Sequence, residues 1–160
     1  MILASATFKL KKGDKIALIS PSYTTPDSNI QKTANVIKEW GFTPVIGKNV
    51  DKLDAGKYAG TAEERADDFI AALKDTSIKA ILANRGGYGT IQLVDLIDPN
   101  LVKKNPKWLI GYSDITTLHA MQTKAGVMSI HGTMSSFIAK TAGKDDNSPL
   151  LRDLLNELDL

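Results

Sequence analysis

The 160-residue chain contains no cysteine, only two histidines, and aromatic side chains at just 6% of its positions. Without thiols there is no disulfide framework and no thiolate metal site, and a reducing compartment is permitted. Two histidines leave little from which to build a transition-metal site, and no metal or other cofactor is expected. No run of about 18 apolar residues exists, so nothing reads as a membrane span. The 20 basic and 18 acidic residues are dispersed along the chain and leave a formal charge of +2. With no long Lys/Arg tract and no aromatic interleaving, nucleic acid is excluded as an expected partner. The opening "MILASATFKLKK" has no basic segment ahead of its apolar start. It reads as an irregular arm over 1–12 rather than a secretion signal.

What is present is a sequence 42% hydrophobic and 24% charged, enough for one α/β domain over 13–160 with its own core. "KIALISPS" is an apolar run that stops at Pro21. "SNIQKTANVIKEWG" has Ile30, Ala34 and Ile37 at helical spacing, with Ser28 as candidate N-cap and Gly41 as stop. "TPVIGKNV" reads as a short strand and "DKLDAGKYAG" as a loop. "TAEERADDFIAALKDTS" is the clearest helix. Thr61 and Glu64 form a capping box, and Ala62, Ala66, Phe69, Ile70 and Leu73 share a face. "KAILANRGGYG" is a buried strand running into glycines, and "TIQLVDLID" returns to helical spacing until Pro99. "KWLIGYS" is a strand, "DITTLHAMQTKAG" a helix, "VMSIHG" a fifth strand and "SPLLRDLLNELDL" a closing helix.

Strands that are apolar throughout and alternate with helices predict a doubly wound, mostly parallel sheet with helices on both faces, in Rossmann-like or flavodoxin-like layers. In such sheets ligands sit beyond the carboxyl ends of the strands. Three unusual loops fall there: Ser20-Pro21-Ser22-Tyr23, Arg85-Gly86-Gly87-Tyr88-Gly89 and Gly111-Tyr112-Ser113-Asp114. The glycine loop suits close backbone approach to an anionic ligand, yet it lacks the G-x-G-x-x-G spacing of a dinucleotide site. On these residues alone it is either a binding loop or a structural turn.

Ser113 stands at a strand-to-helix corner. It either caps the helix beginning at Asp114, or it holds its hydroxyl over a helix N-terminus as a nucleophile. The two roles compete for one oxygen, so geometry separates them. His119 lies nearly two turns along that helix and His131 ends the last strand. Each is read as a packed or solvent-exposed imidazole unless shown to face Ser113.

Together, "GDKIALISPS", "YAGTAEERADDFIAAL", "AILANRGGYGT", "WLIGYSDITTLH" and "SIHG" resemble the N-terminal half of the serine LD-carboxypeptidases, the family that includes the microcin immunity proteins. The resemblance runs from about Gly13 to Gly132. It implies Ser113 as nucleophile and an oxyanion hole from the backbone N–H groups of Asp114 and Gly87. A side chain at Gly87 would then be expected to crowd the approaching carbonyl. Substrate contacts would come from Arg85, Gly86, Tyr88, Ser22 and His131, with no metal. The substrate would be a peptidoglycan-derived tetrapeptide cleaved at its L,D-bond, or else an amide in a peptide–nucleotide antibiotic, in the cytoplasm, by a bacterial enzyme that commonly forms homodimers. The family's general-base histidine and orienting glutamate lie in a C-terminal domain that this chain, ending at Leu160, does not include. The isolated chain is therefore expected to be inactive. Thr133 stands where a proline commonly follows the "HG" pair. The alternative is a small-molecule or anion-binding α/β module without catalysis.

Overall fold

A computed structural model describes residues 9–157. Five strands, β1 (Lys15–Ile19), β2 (Thr43–Ile46), β3 (Ile78–Ala83), β4 (Trp108–Gly111) and β5 (Ile130–His131), form one sheet in the order β2-β1-β3-β4-β5. Every pairing is parallel. Six helices, α1 (Asp27–Glu39), α2 (Ala62–Lys74), α3 (Pro99–Lys104), α4 (Thr116–Lys124), α5 (Ser135–Thr141) and α6 (Asn147–Glu157), cover its two faces. The doubly wound α/β fold is as the sequence predicts.

The strands are two-sided, and their alternation sorts the core. Ala17 and Ile19 of β1 with Ile81 of β3 and Leu109 of β4 face one apolar layer, completed by Phe69 and Leu73 of α2, Val102 of α3 and Leu118 of α4. Ile16 and Leu18 with Leu82 and Ile110 face the other, completed by Ile30 and Ile37 of α1, Ile138 of α5 and Leu151 and Leu155 of α6. A fully buried residue of this kind contributes about 1.5–3 kcal/mol by leaving water, so neither face can be stripped without loss of the fold.

Local details follow the sequence unevenly. The capping box on α2 is present: Thr61 Oγ1 accepts from the Glu64 N–H at 3.2 Å, and the Glu64 carboxylate accepts from the Thr61 N–H at 3.0 Å. Ser28 does not cap α1, which starts two residues earlier than that cap would place it, after Pro26, whose locked φ of −53° sets the entry. Residues Thr90–Leu96, expected as a helix, form a 3₁₀ segment. The chain then breaks to restart at Pro99, where the Asp98 carboxylate accepts from the Asn100 N–H at 2.8 Å. The first turn after β4 is likewise 3₁₀ (Ser113–Ile115) before α4 begins. Of the arm expected over 1–12, residues 1–8 lie outside the described residues, as does the end of the closing helix beyond Glu157. Leu10 is buried, and its N–H donates to Leu155 O at 2.8 Å.

The strand order reverses direction between β1 and β3. At such a switch point the loops leaving adjacent strands diverge and open a crevice. The loops after β1, β3 and β4 all leave on that side, which brings the three unusual stretches together.

Candidate active site

Ser113 stands two residues beyond the end of β4 and has φ +60°, in the left-handed region that β-carbons disfavour. Only Ala55 and Ala142 share that property among the described non-glycine residues, and they sit in a surface loop and at a helix C-terminus. Such a conformation costs on the order of 1–2 kcal/mol and persists only where neighbours enforce it. The side chain is exposed and makes no capping hydrogen bond to the turn that follows. The carbonyl of Ser113 instead accepts from Thr116 Oγ1 at 2.8 Å. Between the two roles open to this serine, the cap is absent and the strained corner is present.

The glycine loop lies against this corner. A β-carbon on Gly86 would stand 3.3 Å from Ser113 Cβ, 3.4 Å from Ser113 Oγ and 3.5 Å from the Asp114 amide nitrogen. Gly86 is therefore the residue whose missing side chain leaves space beside the hydroxyl. A β-carbon on Gly87 would instead collide with the Tyr23 ring, 2.4 Å from Cγ. The crowding expected at Gly87 is thus corrected to Gly86, because the loop turns at φ +133° after it and directs position 87 at the loop after β1. Gly87 itself is exposed, with its amide one peptide link beyond Gly86.

The two loops are also tied by hydrogen bonds. The Thr90 N–H donates to Asp114 Oδ2 at 3.0 Å, and Thr90 Oγ1 donates to Asp114 O at 2.6 Å. On the other flank Tyr23 stacks edge-on with Tyr58, ring centroids 5.7 Å apart, and the Arg85 guanidinium stands 5.7 Å above the Tyr23 ring. Arg85 is exposed, and its one hydrogen bond is a long one, 3.4 Å, to Thr24 O. Tyr88 is 54% exposed. Ser22 is fully buried, and its Oγ has no hydrogen-bond partner.

Neither histidine is joined to Ser113. His119 is buried, and its Nε2–H donates to Gly111 O at 2.9 Å, since a carbonyl can only accept. That leaves Nδ1 to accept from Ser129 Oγ at 2.7 Å. Burial pushes its pKa below the usual imidazole range, the Gly111 carbonyl opposes this and the neighbouring His131 reinforces it. With both nitrogens engaged, His119 fastens the end of β4 to α4 and takes no proton from a substrate. His131 is exposed on β5, its ring 6.1 Å from that of His119 and 6.3 Å from that of Tyr112. Together with Tyr112, Phe137, Leu150 and Leu154 it lines a mostly apolar groove of about 650 Å³. Among the described residues no group of three or more His, Asp or Glu side chains could hold a metal ion, and no helix is long and apolar enough to cross a membrane.

The strained serine and the glycine loop beside it both lie within a stretch that matches a known domain. Residues 16–132 fit the model of the LD-carboxypeptidase N-terminal domain. The chain belongs to the LD-carboxypeptidase family. A Bacillus subtilis protein named "Probable murein peptide carboxypeptidase" is 33% identical over 93% of this chain and 46% of its own length. The "Murein tetrapeptide carboxypeptidase" of Pseudomonas aeruginosa is 31% identical over 76% of this chain and 40% of its own. Among solved structures, the MccF-like protein of Bacillus anthracis superposes with a TM-score of 0.76 at 34% identity, covering 82% of this chain and 41% of that one. The chain thus spans less than half the length of each of these relatives.

Sequence reasoning missed Arg65, Thr90 and Asp114 as side chains with a part in this site. Arg65 was the most findable. It lies four residues before Phe69, on the apolar stripe of the best-defined helix in the chain, where a solvated charge does not belong.

Proposed function

We propose that this chain is the nucleophile-bearing domain of a serine LD-carboxypeptidase, which releases the terminal D-amino acid of a peptidoglycan tetrapeptide in the cytoplasm through an acyl-enzyme. Ser113 Oγ attacks the scissile carbonyl. The N–H groups of Asp114 and Gly87 receive the developing oxyanion, a role in which one donor accounts for about 10²–10³ in rate. The observation that carries the reading is the uncapped, exposed serine held at positive φ against Gly86. Exposed Arg85, with no carboxylate among its hydrogen-bond partners, is suited to the terminal carboxylate of a substrate. Gly86, Tyr88 and His131 are the further contacts this reading assigns to the substrate.

A neutral hydroxyl needs a base, and no described imidazole is joined to it. The base and its orienting carboxylate belong, in this reading, to a second domain of about this length, in keeping with relatives more than twice as long. The 160-residue chain alone then retains only the residual acceleration of an oxyanion hole, about 10³-fold over water. The test is D-alanine release from an L,D-tetrapeptide. The longer protein carrying this chain should turn over, its Ser113→Ala variant should lose on the order of 10⁴ or more in kcat, and the 160-residue chain should be inert. Undiminished turnover by Ser113→Ala, or brisk release by the chain alone, overturns the assignment.

A further inference from the structure

Arg65 is 2% exposed, and every hydrogen-bond partner of its guanidinium is neutral. Nε donates to Gly60 O at 3.3 Å, one Nη to Pro21 O at 2.9 Å and Gly89 O at 3.1 Å, and the other Nη to Gln92 Oε1 at 2.5 Å. The Tyr58 ring covers it at 4.9 Å. One planar fork thus reaches the loop after β1, the start of α2 and the end of the glycine loop. A buried cation among neutral acceptors is costly, and well-packed apolar side chains hold loops together more cheaply. Its value has to be sought in what it orients.

The decisive feature is the Gly89–Thr90 peptide. In a trans, planar unit the C=O and N–H point in opposite directions. Here the carbonyl of Gly89 meets Arg65, and the N–H of Thr90 meets the Asp114 carboxylate. A cation at the negative end and an anion at the positive end fix that peptide's rotation about its neighbours. The space needed is left by Gly89, at φ +133°, where a β-carbon would stand 2.9 Å from the guanidinium. Asp114 is the residue after Ser113, and Gly87 is two residues before Gly89. The clamped peptide therefore links the two stretches that carry the proposed oxyanion donors.

We propose that Arg65 is a positioning residue: acting through the Gly89–Thr90 peptide on the Asp114 carboxylate, it sets the spacing between the glycine loop and the Ser113 corner. The proposal rests on the reading of Ser113 as a nucleophile with a backbone oxyanion hole. Because a displacement of about 1 Å can cost on the order of 10²-fold, loosening the clamp acts on kcat and leaves substrate affinity nearly unchanged.

The test compares Arg65→Met, Arg65→Lys, Asp114→Asn and the Arg65→Met/Asp114→Asn double variant. In the 160-residue chain, the Thr90 amide proton should resonate far downfield and lose that shift in Arg65→Met and in Asp114→Asn while the β3 amides stay in place. In the longer protein, kcat should fall about 100-fold in Arg65→Met and in Asp114→Asn with KM within about threefold. Arg65→Lys should recover only part, since an ammonium cannot reproduce the fork. The double variant should be no worse than the poorer single one, the sign of a shared pathway. A folded Arg65→Met with unchanged kcat or an unmoved Thr90 amide overturns the proposal, as do losses that multiply in the double variant. Should Arg65→Met fail to fold, Asp114→Asn decides, and an unshifted Thr90 amide there overturns it. Unchanged turnover by Ser113→Ala would instead remove the catalytic reading, and the amide measurements would still judge the clamp.

Discussion

The backbone at Ser113 makes a prediction that needs neither substrate nor second domain: replacing the proposed nucleophile with glycine should stabilise the fold. At φ +60° a β-carbon costs on the order of 1–2 kcal/mol, and glycine carries none. Against that gain stands the larger backbone freedom of glycine in the unfolded chain, about 0.4–1 kcal/mol. The hydroxyl itself adds little, being exposed and free of a capping bond. Ser113→Ala keeps the β-carbon and loses only that hydroxyl, so it should sit within about 0.5 kcal/mol of the parent. Ser113→Gly should be more stable than Ser113→Ala by about 0.5–1 kcal/mol, or about 1–4 °C in Tm for a domain of this size. Urea denaturation of the 160-residue chain followed by circular dichroism measures both variants. Equal stability of the Gly and Ala variants would refute the reasoning, since the corner would then store no backbone strain. A stabilised Ala variant would place the cost in the hydroxyl instead.

Two further outcomes follow from particular contacts. Gly86→Ala places a methyl group 3.4 Å from Ser113 Oγ at a position without positive φ, so it should lower turnover of the longer protein by at least about tenfold while changing stability by less than about 1 kcal/mol. For Asp145, burial alone would raise the pKa, but hydrogen bonds from Ser148 Oγ, Thr141 Oγ1 and the Ser148 and Asn147 amides together hold it down at about 2. Its folded pKa lies below the unfolded value of about 3.9, so its stabilisation is complete above pH 5 and lost as pH falls toward 2. Asp145→Ala, which uncaps α6, should cost on the order of 1 kcal/mol at pH 7 once solvent screening is counted, and only a small part of that near pH 2.

Fold and site were legible to different depths. The strands were plain because parallel strands buried on both faces must be apolar throughout, and β1, β3 and β4 are. Helix α2 was plain because its cap and its stripe agree. By contrast α5 spans seven residues with Phe137, Ile138 and Ala139 in a row, which no period picks out. Tertiary hydrogen bonds hold it: Thr33 Oγ1 donates to Ser135 O at 2.9 Å, and the Ser136 N–H donates to Asn84 O at 2.8 Å. The 3₁₀ form of Thr90–Leu96 was hidden for a similar reason, since its apolar spacing reads as α. At the site, the motif named Ser113, but only coordinates separate a capping hydroxyl from an uncapped one. Nor does a sequence show that the room beside it belongs to Gly86.

The division of labour at this site also explains why a cationic fork and a carboxylate recur around one short loop. An oxyanion hole built from main-chain N–H groups has no side chains to adjust, so its precision depends on how firmly the two contributing backbone stretches are held to each other. In the oxyanion hole proposed for this chain, one stretch leaves β3 and the other leaves β4. Their strands pair only as far as Leu82 and Ile110, so the sheet fixes the roots of the loops but not their tips. Beyond those residues, Thr90 and Asp114 supply the direct links, and Arg65 ties the glycine-loop end to the neighbouring β1 loop and the start of α2. Without such ties the tips would be free to drift on the scale at which an oxyanion hole fails. The cost of burying Arg65 and of straining Ser113 therefore has a common rationale. Both are borne where the regular hydrogen bonding of the sheet has run out and the proposed chemistry would begin.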